Sequence, residues 1–300
     1  MSIRLEMLQV ARVAPKTLGD SADLVRDFIL AQQNPDGGFR DRTGTSDLYY
    51  TVFGLEGLLA LRADIRVNAV AEYLVRQGCG ERLDFVHLCC LARCWAALAN
   101  QQPDVLAQRP DDLVTRVAAR LEEFRTGDGG YHPLPKSQFG TAYGCFLALA
   151  AYQDLGVELP EPLRVVQCLK FLETPDGAWT NERGMKFGAT NSTAAAITLL
   201  RHLHLPITAQ VGEWLLKQTH SQGGFLAIPG APIPDLLSTA TALHALSGLE
   251  VSFDPIREQC LDFIDTLWTA EGSFHGNWTD DHLDCEYTYY GLLALGHLSL

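Results

Sequence analysis

The last apolar stretch of the chain opens on two carboxylates, in Asp284-Cys285-Glu286-Tyr287-Thr288. A buried carboxyl beside another carboxylate keeps its proton to higher pH, so Glu286 would suit general acid work with Asp284 as its acidic neighbour. Asp280 and Asp281 thicken the negative field in the loop just before. The same residues also suit a plain helix start, Asp284 as N-cap and Glu286 in the first turn. A basic pair, Arg183-x-x-Lys186, joins a guanidinium fork to a point charge, a combination that suits phosphate; a solvated surface loop is the plainer alternative. His87 is followed by Cys90 and Cys94 at helical spacing, either metal donors or a core histidine beside buried thiols. No Gly-x-Ser-x-Gly, phosphate-binding glycine loop or His-Glu-x-x-His occurs.

These residues sit on a repeated frame. Residues 29–61 read as a helix, a turn Asn34-Pro35-Asp36-Gly37-Gly38-Phe39, and a second helix capped by Asp47, with apolar residues at Val52, Leu55, Leu58, Leu59 and Leu61. After a helical lead-in at about residues 3–13, six such units follow from about residue 22, with a period of roughly 40–50 residues. Five carry a Gly-x-aromatic turn; the second, with Gly78-Cys79-Gly80, does not. The second helices align on Asp47, Asp84, Gln138, Ala189, Asp235 and Asp284. They are Ala/Leu-rich and nearly uncharged, whereas the first helices carry Arg, Glu and Lys. The second set should therefore line the interior and the first face water. Six such pairs predict a closed all-α (α/α)6 barrel, one domain over residues 1–300, because closure spares the array exposed apolar ends.

The chain has 300 residues, 47% hydrophobic and 20% charged, enough for a large core. Its net charge of −13 argues against broad binding to nucleic acid or anionic membranes. No apolar run approaches the roughly 20 residues of a transmembrane helix, and residues 1–16 do not read as a secretory signal. The eight cysteines lack a disulfide or zinc-ribbon spacing, so reduced thiols and a cytoplasmic setting are expected.

The repeats FILAQQNPDGGF with DLYYTVFGLEGL, and LDCEYTYYGLLAL, resemble the prenyltransferase and terpene-cyclase repeat superfamily, above all the β subunits of protein prenyltransferases of the Rab geranylgeranyltransferase type. Gln33-x-x-x-Gly37-x-Phe39 resembles the turn motif of squalene–hopene cyclases. The resemblance implies a zinc site, a basic diphosphate pocket and an aromatic cavity for an isoprenoid. The family's Asp-x-Cys-Tyr reads Asp284-Cys285-Glu286-Tyr287 here, with Glu286 in the cysteine slot and Tyr50 in the histidine slot. Two of three zinc ligands are thus replaced, and no cofactor is expected. A weaker metal alternative joins Asp47 and His87, which hold the family's Asp and His slots in adjacent units, to Cys90. Arg183 and Lys186 carry the diphosphate pattern, displaced to the fourth unit. Tyr49, Tyr50, Phe53, His87, Tyr143 and Tyr289 are the expected cavity residues.

In the class II cyclase register of the superfamily, Glu286 would hold the proton-donor position. The expected function is isoprenoid handling in a central cavity, as a prenyltransferase-like protein without the usual zinc, with Asp284, Glu286 and Tyr287 at the reacting end. A small terpenoid cyclase using Glu286 and Asp284, or a non-catalytic isoprenoid-binding scaffold, are the alternatives. The resemblance implies an isoprenoid diphosphate or terpenoid ligand and a partner like the family's α subunit.

Overall fold

The computed structural model describes residues 1–300 and is all-α, with fourteen α-helices. The inner set is α4 (Leu48–Ala60), α6 (Phe85–Gln101), α8 (Ala142–Leu155), α10 (Thr190–His202), α12 (Leu236–Gly248) and α14 (Cys285–Leu298). Each packs on the next, and α14 packs back on α4, so the ring closes. The outer set comprises α3 (Ser21–Ala31), α5 (Val67–Val75), α7 (Leu113–Glu122), α9 (Pro162–Lys170), α11 (Ala209–Leu216) and α13 (Arg257–Leu267). The predicted toroid of six helix pairs is the observed architecture.

Local chemistry explains the repeat. Four aspartates and one threonine cap inner helices, Asp47, Asp84, Asp235, Asp284 and Thr141 each accepting a first-turn N–H. The third repeat therefore starts at Thr141, three residues beyond the Gln138 of the sequence alignment. A threonine stands there in place of the aspartate that marks four of the other five starts, the remaining one being Ala189 without a side-chain cap. Four residues on from the cap, Thr51, Thr193 and Thr239 accept from the N–H of Phe39, Trp179 and Phe225, stitching each turn to its inner helix. The turn aromatics are buried, and Phe39 occupies the space a side chain on Gly54 would need, 2.2 Å from that position.

The turn glycines also join neighbouring repeats. A Cβ on Gly37 would lie 2.0 Å from the Ala69 carbonyl oxygen of α5, and one on Gly272 would lie 2.3 Å from that of Leu24 on α3, which seals the ring. Both adopt positive φ, so glycine is required twice over.

The lead-in has a role that periodicity did not reveal. Helix α1 (Ile3–Ala11) packs against α4, α8 and α14 and closes one end of the ring. The helix α2 (Pro15–Leu18) then leads into α3. The strand content is one antiparallel pair, β1 (Phe39–Arg40) with β2 (Ser46–Asp47), and isolated bridges within the turns.

Candidate functional site

The ring encloses a cavity of about 370 Å³. Because the inner helices share a start, its wall can be read in layers. Two residues past each cap come Tyr49, Val86, Tyr143, Asn191 and Leu237, all lining, and Glu286 in the same register. Deeper come Phe53, Cys90, Leu147, Ala195, Thr241 and Tyr290, with Tyr289 beside them. Nine residues past the cap stand Glu56, Arg93, Ala150, Thr198 and His244, and Met7 reaches in from α1. The two polar layers are seven residues apart, roughly 10 Å along the helix axes. Aromatic rings dominate one side: Phe53 lies 5.0 Å from Tyr49, 5.4 Å from Tyr290 and 5.9 Å from Tyr289 between centroids.

At the mouth, Tyr49 donates its hydroxyl to Glu286 Oε1 at 2.5 Å. Burial pushes the Glu286 carboxyl up to about 7; the Tyr49 hydrogen bond draws it back and the Asp284 charge adds to the rise. Glu286 thus flanks the wall through Tyr49 instead of lying bare in it. Asp284 is the helix cap, its Oδ1 accepting from Tyr287 N–H, and its Oδ2 takes the Arg42 guanidinium at 3.0 Å. Arg42 also reaches Asp280 at 3.4 Å and lies over the Tyr287 ring. It links the first repeat to the last by pairing with Asp280 and Asp284, a role the sequence reading missed.

Among the expected cavity residues, Tyr49, Phe53, Tyr143 and Tyr289 line the cavity, whereas Tyr50 and His87 do not. Tyr50 is one residue past Tyr49, rotated about 100° around the helix and turned outside the wall. His87 is held between two caps, Nε2 to Asp47 Oδ2 at 3.0 Å and Nδ1 to Asp84 Oδ1 at 2.9 Å. The Asp47 hydrogen bond, with support from Asp84 and against the effect of burial, raises its pKa to about 9. Both nitrogens donate, so this is an imidazolium ion pair. Cys90 faces the cavity instead, and the Asp47–His87–Cys90 alternative does not assemble.

No three His, Cys, Asp or Glu side chains stand close enough to hold a metal ion. At the family position, Asp284 is engaged by Tyr287 N–H and Arg42, and Glu286 by Tyr49, while Cys285 is wholly buried. The basic pair is elsewhere too. Arg183 pairs with Asp128, its guanidinium 3.9 Å from the centroid of Phe139 and 4.5 Å from that of Phe171, and Lys186 is exposed; neither lines the cavity.

The floor carries charges that the sequence reading passed over. Arg4 of α1 meets Glu56 at 3.3 Å and Asp154 at 3.6 Å, and Arg93 meets Asp154 at 3.2 Å. Burial raises both carboxyls while the two arginines oppose the rise. Next to them, His244 shares a hydrogen bond with His297 at 3.1 Å, and burial lowers it to about 4, so it is neutral at pH 7. A single charge on an otherwise apolar inner helix was the available signal, at Glu56, Arg93 and Asp154 alike.

The family model of the prenyltransferase alpha-alpha toroid domain matches residues 5–76 and 192–299, more than half of the chain, and the protein belongs to that family. No curated protein sequence matches it. Among solved structures it is similar to a variant of the type II terpene cyclase MstE from Scytonema, in complex with its substrate geranylgeranyl dihydroxybenzoate. The TM-score is 0.60 at 14% identity, over 95% of this chain and 97% of that one. Candida albicans protein geranylgeranyltransferase-I complexed with GGPP aligns with TM-score 0.52 and 15% identity, over 98% and 82% of the chains. An inactive α-1,6-mannanase variant from Salegentibacter sp., in complex with α-1,6-mannotriose, aligns with TM-score 0.60 and 12% identity, over 94% and 98%. These likenesses share a fold, and no helix of the protein is long and apolar enough to cross a membrane.

Proposed function

We propose that the protein binds a terpenoid in the toroid cavity and rearranges it by acid chemistry from Glu286, as a small type II-like cyclase. The observation carrying this is Glu286 itself: a carboxyl poised near pH 7 on the Tyr49 hydroxyl, at the rim of an aromatic cavity. In this reading Glu286 gives its proton to an alkene carbon, the resulting cation migrates as rings close, and loss of a proton from carbon ends the reaction. The faces of Phe53, Tyr143, Tyr289 and Tyr290 would stabilise the cation, each face contributing about 0.5–2 kcal/mol. Tyr49 makes Glu286 a stronger acid by hydrogen bonding its anion.

The observed groups favour this over prenyl transfer. A diphosphate needs convergent cations, and the arginines facing the cavity and its mouth are already paired with carboxylates. The apolar wall likewise gives no support to a carbohydrate ligand, despite the mannanase likeness. The test is incubation with polyprenyl substrates, with and without diphosphate, followed by mass spectrometry and chromatography of the products. Isomeric cyclised products from the native protein and none from Glu286→Gln, with binding retained, support the reading. Equal turnover by Glu286→Gln removes Glu286 as the acid.

A further inference from the structure

The cavity's deep end is built to grip something polar. Glu56 is 2% exposed and its Oε2 has no hydrogen-bond partner; Arg93 engages Asp154 through Nε alone, and its Nη2 is buried without a partner. His244 Nε2 is likewise unpartnered, 3.5 Å from Glu6 Oε1. Donor and acceptor belong to adjacent helices in one layer, and each residue lines the cavity. Buried polar atoms left without partners weaken a protein unless something satisfies them. Here a bound group at the floor would do so.

The charges identify its chemistry. Arg4 and Arg93 balance Glu56 and Asp154, and His244 is neutral. A carboxylate or diphosphate would bring uncompensated charge into a low-dielectric floor. A hydroxyl or phenol fits: its oxygen accepts from Arg93 and its hydrogen goes to Glu56.

Resting on the cyclase reading above, the geometry points to a floor subsite for the uncharged, oxygen-bearing terminus of the terpenoid, held by Arg93 and Glu56. The ligand then enters hydrocarbon end last. The alkene farthest from its oxygen is left at the mouth beside Tyr49 and Glu286, one polar layer above. A hydroxyl supplies the missing hydrogen bonds, whereas a hydrocarbon end leaves both side chains unpartnered.

Equilibrium binding of geranylgeraniol, of the hydrocarbon lacking its hydroxyl, and of geranylgeranyl diphosphate to the full chain tests this. The alcohol should bind native protein at least about tenfold more tightly than the hydrocarbon, as expected for hydrogen bonds to charged groups. Glu56→Leu, which removes the acceptor, should lose most of that preference while still binding the hydrocarbon. If Glu56→Leu does not fold, the native alcohol-to-hydrocarbon ratio decides alone. Equal affinities for alcohol and hydrocarbon, or tightest binding of the diphosphate, overturn the floor subsite and leave the apolar cavity standing. Binding of none of the three overturns the terpenoid reading itself.

Discussion

Replacing Glu286 by Gln should change how the protein's stability depends on pH, whatever its substrate. The Glu286 carboxyl moves from an ordinary 4.5 to about 7 on folding, chiefly through burial. The raised value means the folded state holds this proton more tightly than the unfolded chain. Stability from this group is therefore fully present below about pH 4.5 and is lost as pH rises through about 7. Each unit corresponds to about 1.4 kcal/mol, so ionisation in place opposes folding by about 3.5 kcal/mol at high pH. About 2.5 kcal/mol of that falls between about pH 5 and pH 8. The amide in Glu286→Gln cannot ionise and keeps a hydrogen-bond acceptor for Tyr49. Urea unfolding of native and variant protein across that range isolates the group, since every other titrating residue cancels in the difference. The variant should gain about 2–3 kcal/mol on the native protein between the two ends of the range. Parallel stability curves would show that Glu286 is not held neutral, and acid catalysis by it would fall with them.

Other expectations follow from the ring. The His87 imidazolium, about 30% exposed between Asp47 and Asp84, is raised to about 9, so its stabilisation is complete below 6.5 and lost as pH rises through 9. Discounted for solvent, His87→Ala should cost about 1–2 kcal/mol near neutral pH and almost nothing at high pH, by urea titration. Gly272→Ala places a methyl against the Leu24 carbonyl at positive φ, and should cost about 2–4 kcal/mol. Gly177→Ala, with similar φ but open space, should cost only about 1–2 kcal/mol. Arg4→Met leaves Glu56 short of its partner and should cost about 3–5 kcal/mol, measured the same way.

The ring was legible because its signals are local and repeated. Asp caps, Gly-x-aromatic turns and apolar helices recur around the ring, and closure follows from having to cover both ends of the array. At Thr141, where threonine replaces the aspartate, the register slipped by three residues; at Ala189, which also lacks it, the register held. The site was less legible because its key pairs are distant in sequence: Tyr49 with Glu286, Arg42 with Asp284, Arg4 with Glu56. Sequence spacing could place Asp284 as a cap and Tyr49, Phe53 and Tyr143 on inner helices. It could not foresee that Arg183 would lie between Phe139 and Phe171, or that His87 would turn to the caps. Helix α1 carried no repeat motif, so nothing in the periodicity marked it as the floor.

A crystal structure of the protein grown with geranylgeraniol decides whether the ring holds a terpenoid. One ligand should thread the ring, its carbons against Phe53, Tyr143, Tyr289 and Tyr290 and its hydroxyl at Arg93 and Glu56. A ligand bound only on the outer surface, with the ring interior closed by its own side chains, would contradict it.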